Sequence, residues 1–325
     1  MGVLIDACGR KIDYLRISVT DRCDLRCAYC MPDDYAGYEA PTHWLRFDEI
    51  DRLAGIFVSL GIARIRLTGG EPLLRGRLPE LAGKLRRHSG LSDLSLSTNG
   101  TQLARMSARL KSAGVDRINV SLDTLSRSRF HTLTRRDALD NVLAGLEAAR
   151  DSGLTPIKIN MVWLPDFNGD EIDAMIEYCM DRGFLLRLIE RMPMGNSDSA
   201  PDADSLQWQI NRLRNRYGML DHIVPGGGPA RYLTTPDNRF SVGFITPISQ
   251  HFCATCNRVR LTVDGTLHLC LGQEDRLELR PMLRAGASDP DLIGAIQAAM
   301  LRKPYRHEFG NSPHKLKRIM ASTGG

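Results

Sequence analysis

The 325-residue sequence lacks the features that mark membrane, secreted and nucleic-acid-binding proteins. No stretch approaches the roughly 18 consecutive apolar residues of a transmembrane helix. The first residues carry neither a basic stretch nor a long apolar stretch, so we expect no secretion signal and a cytoplasmic location. Only 6% of the residues are aromatic, and the 43 lysines and arginines are scattered instead of forming a basic stripe. The sequence therefore predicts a protein that binds neither a membrane nor a nucleic acid.

The eight cysteines are concentrated in two short patterns, and this distribution argues for metal binding rather than for a disulfide framework. Cys23, Cys27 and Cys30 form CxxxCxxC just after a strand-like run, with no fourth cysteine nearby. Three thiolates can hold three corners of a cubane iron–sulfur cluster and leave one iron open for another ligand. A structural zinc site usually takes four ligands. For this pattern alone, a zinc knuckle or a disulfide pair with a spare thiol is the alternative.

A second set of three cysteines lies near the C-terminus. Cys253, Cys256 and Cys270 form CxxC followed by thirteen residues and a further cysteine, again with no fourth cysteine. Zinc with His251 or His268 as the missing ligand is the alternative here. Two separate three-cysteine sites in one chain are more specific than either site alone.

Between residues 14 and 192, short β-branched runs alternate with longer amphipathic stretches. The predicted strands cover 15–20, 64–68, 94–98, 117–122, 157–163 and 185–191, and the predicted helices lie near 48–60, 78–88, 101–113, 137–152 and 169–182. Such alternation predicts an α/β fold with a parallel sheet and right-handed crossovers. Because a closed barrel needs eight units, these six predict a partial, open βα barrel. The regular alternation of predicted strands and helices ends after Met192. We therefore divide the chain into a barrel core at 1–192 and a C-terminal region at 193–325 that covers the barrel opening.

Three basic residues, Arg16, Arg66 and Lys158, interrupt apolar runs on three different predicted strands. A charge among β-branched neighbours on an internal strand is costly to bury without a partner. The three could converge in the barrel lumen, where a bound anion would balance them. Internal salt bridges with Glu71 or Glu190 are the alternative.

The two cysteine sets, together with the terminal Gly324-Gly325 pair, resemble the GTP 3′,8-cyclase family of molybdenum-cofactor biosynthesis, within the radical S-adenosylmethionine (SAM) superfamily. The resemblance spans nearly the whole chain, from about Tyr14 to Gly325. It implies the partial barrel of the radical SAM type. It also implies two [4Fe–4S] clusters, one on each cysteine set, with SAM bound to the open iron of the first. Asp24 departs from the family pattern, which more often has Asn after the first cysteine.

The resemblance also assigns site residues by their positions in matching motifs. The SAM-contacting positions are Tyr29, Gly70, Ser121 and Met192. From the residues alone, a tight turn explains Gly70 about as well, and strand-end packing is the better explanation of Ser121 and Met192. The GTP-binding positions are Arg16, Arg66, Ser97, Lys158, Arg258, Val259 and Arg260. Gly324 and Gly325 would reach into the site as catalytic residues.

The resemblance implies that SAM is cleaved to methionine and a 5′-deoxyadenosyl radical, which removes the 3′ hydrogen of GTP. Attack of the ribose radical on guanine C8 then gives (8S)-3′,8-cyclo-7,8-dihydroguanosine 5′-triphosphate. The second cluster would hold the guanine base. The implied partners are GTP, an electron donor and the cyclic pyranopterin synthase that receives the product, and a homodimer is compatible with the resemblance. The alternatives are another two-cluster radical SAM enzyme acting on a peptide or RNA, and a zinc-binding module.

Overall fold

The computed structural model describes residues 2–31, 35, 37, 38, 40–193, 203–224, 227–309 and 320–324. The strands are β1 (Tyr14–Ser18), β2 (Arg64–Thr68), β3 (Asp93–Thr98), β4 (Arg117–Ser121), β5 (Ile157–Trp163), β6 (Leu185–Glu190), β7 (Leu220–His222), β8 (Arg231–Thr234), β9 (Ser241–Ile245), β10 (Arg258–Leu261), β11 (Thr266–His268) and β12 (Arg276–Glu278). The helices are α1 (Phe47–Ser59), α2 (Leu78–Arg86), α3 (Leu103–Ser112), α4 (Arg127–Thr134), α5 (Leu139–Asp151), α6 (Pro165–Asn168), α7 (Ile172–Arg182), α8 (Ala203–Tyr217), α9 (Leu279–Arg284), α10 (Asp289–Met300) and α11 (Met320–Thr323). None of the helices within these residues combines the length and the apolarity needed to cross a membrane.

The strands of the described residues form one open sheet in the order β12-β11-β10-β1-β2-β3-β4-β5-β6-β9-β8-β7. Strands β1 to β6 are neighbours in chain order and all pair in parallel, which confirms the predicted six-unit open barrel. The C-terminal strands extend this sheet at both edges, because β10 pairs in parallel with β1 and β9 with β6. Since the sheet continues across residue 192, the division of the chain there stays a prediction.

Side chains alternate between the two faces of each barrel strand. On β1, Leu15 and Ile17 are fully buried in the hydrophobic core, beneath the helices on the outer face. Tyr14, Arg16 and Ser18 have the opposite parity and face the lumen. The same alternation on the neighbouring strands leaves an apolar outer face and a polar, largely basic lumen. The strand register therefore positions the candidate site.

Candidate active site

The first cysteine loop follows β1 at the carboxyl ends of the barrel strands. All eight cysteines are free thiols, so the disulfide alternative is wrong. Burial raises the pKa of Cys23 to about 12 and that of Cys30 to about 11. The pKa of Cys27 is raised by burial and then by the neighbouring Cys30, Asp123 and Cys23, so the three thiols are close enough to interact. Such thiols are stable as thiolates when they bind a cation, and this donor set fits an iron–sulfur cluster.

The glycine turn after β2 packs directly on the segment that leads into this loop. The backbone N–H of Gly70 donates to the carbonyl oxygen of Thr20 at 2.9 Å, and a Cβ on Gly70 would lie 2.5 Å from the carbonyl oxygen of Arg22. A side chain at this position would therefore push the cysteine loop away. Glycine is required here for close approach of two backbones.

Glu71, in the same turn, is fully buried. Its carboxylate accepts hydrogen bonds from the backbone N–H of Leu73 at 2.9 Å, the hydroxyl of Thr98 at 2.8 Å and the backbone N–H of Asn99 at 2.6 Å. Burial raises its pKa to about 7, against the opposing effect of these bonds. Glu71 therefore fixes the turn and is not a partner of the lumen arginines.

The other three predicted SAM-contacting residues lie in different parts of the site. The hydroxyl of Tyr29 donates to Asp123 Oδ2 at 2.6 Å, which holds the cysteine loop against the segment after β4. Ser121 is exposed at the end of β4. Met192 lines the cavity of the second cysteine set and packs on Phe309. The contacts of these residues with SAM stay predictions.

The C-terminal segment reaches the first cysteine loop. Ala321 in α11 is buried against Met31, with Cys23 and Cys30 packed around the pair. Gly324 has a φ of +70°, and a Cβ on it would clash with the side chain of Thr68 at the end of β2. Only glycine fits this position without a shift. Gly325 lies outside the described residues.

The second cysteine set opens onto the barrel lumen. Cys253, Cys256 and Cys270 line one cavity together with a group of arginines: Arg16, Arg66, Arg187, Arg258 and Arg260. Burial raises the pKa of Cys256, but the positive charges of Lys303, Arg258 and Arg260 outweigh it and lower the pKa overall. This environment favours a thiolate, which is the form that binds metal.

The second set offers cysteine thiols, the donor type that an iron–sulfur cluster accepts. The three thiols are free, and Cys253 interacts electrostatically with both others. The histidines considered as fourth ligands have other neighbours: His251 lies edge-on to the ring of His307, and His268 is in register with Arg260. Within the described residues, no three His, Cys, Asp or Glu side chains are placed to ligate a single metal ion.

Three arginines form a row across neighbouring strands. Arg16 on β1 is directly opposite Arg66 on β2 and Arg260 on β10. Arg16 keeps some accessibility because it borders the cavity, but it lies among protein groups on the other sides. Desolvation, followed by the positive charges of Arg260 and Arg66, lowers its pKa well below the usual range for arginine. The row is an electropositive surface built to face an anion.

The salt-bridge alternative fails for these cations. In the part of the chain that the structure describes, no ion pair joins a carboxylate to Arg16, Arg66 or Lys158. Glu190, one suggested partner, instead accepts hydrogen bonds from the backbone N–H groups of Ile248 at 2.7 Å and Ser249 at 3.0 Å. Lys158 lies beside Arg66 in a smaller adjoining pocket, and burial and the charge of Arg187 lower its pKa to about 7.

Two other predicted GTP-binding residues differ in the face of the sheet on which they lie: Val259 is on the outer face and Ser97 on the lumen face. Val259 is in the hydrophobic core, in register with Leu15, so only its backbone can face the cavity. Ser97 is half-buried on β3, in register with Asn119 and with the lumen parity of Ser95. The contacts of both with GTP stay predictions.

Arg187 was missed by the sequence reasoning. It is buried on β6, where its Nε donates to Asn160 Oδ1 at 2.9 Å and its Nη2 to Asn119 Oδ1. Burial lowers its pKa to about 10. Its position between Leu186 and Leu188 is the same signal that identified Arg16 and Arg66, so it could have been found. The two asparagines are uncharged and gave no such signal.

Comparison with known proteins agrees with this geometry. Residues 17–179 match the family model of the Radical SAM superfamily, and residues 184–309 match that of Molybdenum Cofactor Synthesis C. Proteins named GTP 3′,8-cyclase are 46% identical in Paracoccus denitrificans, over 99% of this chain and 96% of that protein, and 45% identical in Mesorhizobium japonicum, over 99% of both. Streptococcus suis SuiB bound to S-adenosylmethionine aligns with a TM-score of 0.58 at 14% identity, covering 91% of this chain and 71% of that one. Native anSMEcpe with bound AdoMet gives 0.51 at 18% identity, over 63% and 60%. These structural likenesses show the fold.

Proposed function

The chain belongs to the GTP 3′,8-cyclase family of radical SAM enzymes, and from this premise we propose that it converts GTP to (8S)-3′,8-cyclo-7,8-dihydroguanosine 5′-triphosphate. This reaction is the first step of molybdopterin biosynthesis, which agrees with the Molybdenum Cofactor Synthesis C match. The observation that carries the proposal is a cavity that three cysteines line together with a group of arginines.

Radical SAM enzymes bind a [4Fe–4S] cluster and SAM, and Cys23, Cys27 and Cys30 are the residues that would hold the cluster here. Bound there, the cluster and SAM supply the radical that removes the 3′ hydrogen atom of GTP. The protein contributes orientation. Gly70 brings the turn after β2 close to the cysteine loop, and Tyr29 anchors that loop through Asp123.

Cys253, Cys256 and Cys270 would hold a second [4Fe–4S] cluster, with the guanine base on its open iron. The lowered pKa of Cys256 supports metal binding at this set. The triphosphate would lie along the basic lumen. Its proposed partners are the side chains of Arg16, Arg66, Ser97, Lys158, Arg258 and Arg260 and the backbone of Val259, to which we add the side chain of Arg187.

A triphosphate suits this surface because guanidinium groups bind phosphate oxygens through paired, charge-assisted hydrogen bonds. In the free protein, the pKa of Arg16 is lowered first by desolvation and then by the like charges of Arg260 and Arg66, so the three guanidinium groups repel one another. A bound polyanion would replace this repulsion with attraction. The binding energy would then orient the ribose for hydrogen removal.

The C-terminal tail is proposed to act at the same site. Gly324 lies beside Thr68, and Ala321 packs next to Cys30, so the described end of the chain already borders the first cysteine loop. Gly324 and Gly325 would then contact the substrate between the two cysteine sets and assist the radical step.

The proposed partners follow from the reaction. An electron donor must reduce the first cluster, and cyclic pyranopterin synthase would take the product. A cytoplasmic location suits eight free cysteines, because the cytoplasm keeps thiols reduced. We also propose that the enzyme can act as a homodimer.

The test is anaerobic reconstitution followed by reaction with SAM, dithionite and GTP deuterated at C3′. We expect labile sulfide and iron for two clusters, and 5′-deoxyadenosine that carries one deuterium. ATP is the control nucleotide and should give no cyclised product. SAM cleavage with unchanged GTP would point to a radical SAM enzyme of another substrate class, and two zinc ions without labile sulfide would point to a zinc-binding module.

A further inference from the structure

The side-chain amide of Asn99, just after β3, lies against the first cysteine of the cluster loop. Asn99 is buried. Its Nδ2 donates to Asp24 Oδ1 at 2.7 Å and lies 3.7 Å from the Sγ of Cys23, within hydrogen-bonding distance for sulfur. An amide nitrogen carries two hydrogens, so both can be used at once.

The orientation of this amide is determined by its surroundings. The Oδ1 of Asn99 accepts a hydrogen bond from the backbone N–H of Thr101 at 3.0 Å. Because a backbone N–H can only donate, the oxygen must face Thr101 and the NH2 group must face Cys23. A flipped amide would place two donors against each other.

The residues around Asn99 hold it in place on two sides. Its backbone N–H donates to Glu71 Oε2 at 2.6 Å, which ties it to the glycine turn after β2. Asp24 is itself anchored, because its Oδ2 accepts from the hydroxyl of Thr101 at 2.7 Å and from Nε2 of Gln102 at 3.3 Å. The donor is therefore preorganised toward the sulfur.

We propose that Asn99 is a positioning residue for the first cluster, which donates an N–H···S hydrogen bond to Cys23 and raises the reduction potential of that cluster. The inference rests on the proposed function. Hydrogen bonds to cluster sulfurs help set the potential, because a donor stabilises the added negative charge of the reduced form. The carboxylate of Asp24 fixes the donor but, as a nearby negative charge, lowers the potential.

The proposal predicts opposite effects for two neighbouring residues. Asn99→Ala removes the donor and should lower the potential. Asp24→Asn keeps an oxygen for the amide of Asn99 but removes the negative charge, and should raise the potential. Asn211→Ala is the matched control, because Asn211 is an exposed asparagine on α8 whose side chain accepts a hydrogen bond from Gln207. A merely structural role would not give shifts of opposite sign.

The experiment uses reconstituted full-length protein and a redox titration followed by electron paramagnetic resonance. The first cluster is identified as the one whose signal changes when SAM is added. At the midpoint of the wild-type cluster, we expect Asn99→Ala to lower the ratio of reduced to oxidised cluster about tenfold, equal to about 59 mV for a one-electron couple. Asp24→Asn should raise this ratio, and Asn211→Ala should leave it unchanged. An unchanged or raised potential in Asn99→Ala, or shifts of the same sign in Asn99→Ala and Asp24→Asn, would overturn the proposal.

A second measurement needs no substitution. Wild-type protein labelled with ¹⁵N in the asparagine side-chain amide should show a weak ¹⁵N coupling to the reduced, SAM-responsive cluster in pulsed resonance spectra. If Asn99→Ala does not retain its iron, this coupling decides the matter, and its absence overturns the proposal. Failure of the proposed function looks different. A zinc-binding module would show no SAM-responsive signal in the wild type, and a radical SAM enzyme of another substrate class would show this signal but leave GTP unchanged.

Discussion

Replacing Arg16 with methionine should weaken GTP binding and, at the same time, stabilise the substrate-free protein. Arg16 lies between two like charges, Arg66 and Arg260, and is paired with no carboxylate of the described residues. Methionine fills the space of the arginine stem without a charge. The substitution therefore removes both the attraction for phosphate and the repulsion within the row.

The two effects can be estimated separately. A hydrogen bond to a charged group contributes about 1.5–3 kcal/mol, which corresponds to a loss of roughly 10- to 140-fold in GTP affinity. Replacing buried ionic groups by apolar ones of similar volume is often neutral or stabilising by about 1–4 kcal/mol. Because Arg16 borders the cavity and is partly accessible, we expect the lower end of that range, with a raised unfolding temperature.

The assay is anaerobic titration calorimetry with GTP and with SAM, combined with scanning calorimetry in the absence of nucleotide. Arg52→Met is the charge control, because Arg52 forms an exposed pair with Asp289 away from the cavity and should change neither quantity much. SAM affinity should persist in both variants. Wild-type GTP affinity in Arg16→Met, or a lowered unfolding temperature, would refute the reasoning that the arginine row serves an anion at the expense of stability.

Three further outcomes follow from the site. Cys27→Ala should abolish SAM cleavage, whereas Cys256→Ala should leave uncoupled SAM cleavage but prevent GTP conversion. Chromatography of 5′-deoxyadenosine and of the nucleotide measures both. Equal loss of SAM cleavage in the two variants, each with its other cluster intact, would contradict the assignment of SAM cleavage to the first set and GTP binding to the second. Gly324→Ala should reduce GTP conversion while SAM is still cleaved, because the added Cβ would clash with Thr68 at the end of β2. Gly286→Ala is the control and should be active, because Gly286 has a similar positive φ but a Cβ there would have no neighbouring atom within 4 Å. GTP affinity should fall as the pH rises from 6 to 8, because Lys158, with a pKa of about 7 in the free protein, binds phosphate only when protonated. Lys158→Arg should flatten this pH dependence. An equally steep pH profile in that variant would rule out Lys158 as the source of the pH dependence.

Several features of this protein could be predicted from local sequence. The alternation of apolar runs predicted six βα units because strand and helix periods depend on near neighbours. The two cysteine patterns predicted both candidate metal sites, because three ligands on one short loop are close in any fold. Arg16, Arg66 and Lys158 were identifiable because a charge within an apolar strand needs a partner. Helix α4 was not predicted, since only two of its three buried residues, Phe130 and Leu133, are apolar.

The tertiary structure decided which of these residues meet. Arg260 belongs to a strand late in the chain, yet it lies opposite Arg16 because β10 pairs with the edge of the barrel at β1. Asn99 reaches Cys23 only because β1, β2 and β3 end at the same edge of the sheet. Strand order and register minimise exposed apolar surface over the whole sheet, so no short segment of sequence specifies which strands become neighbours. Local pattern specified the chemical groups, and the burial of one continuous outer face determined which of them share the lumen.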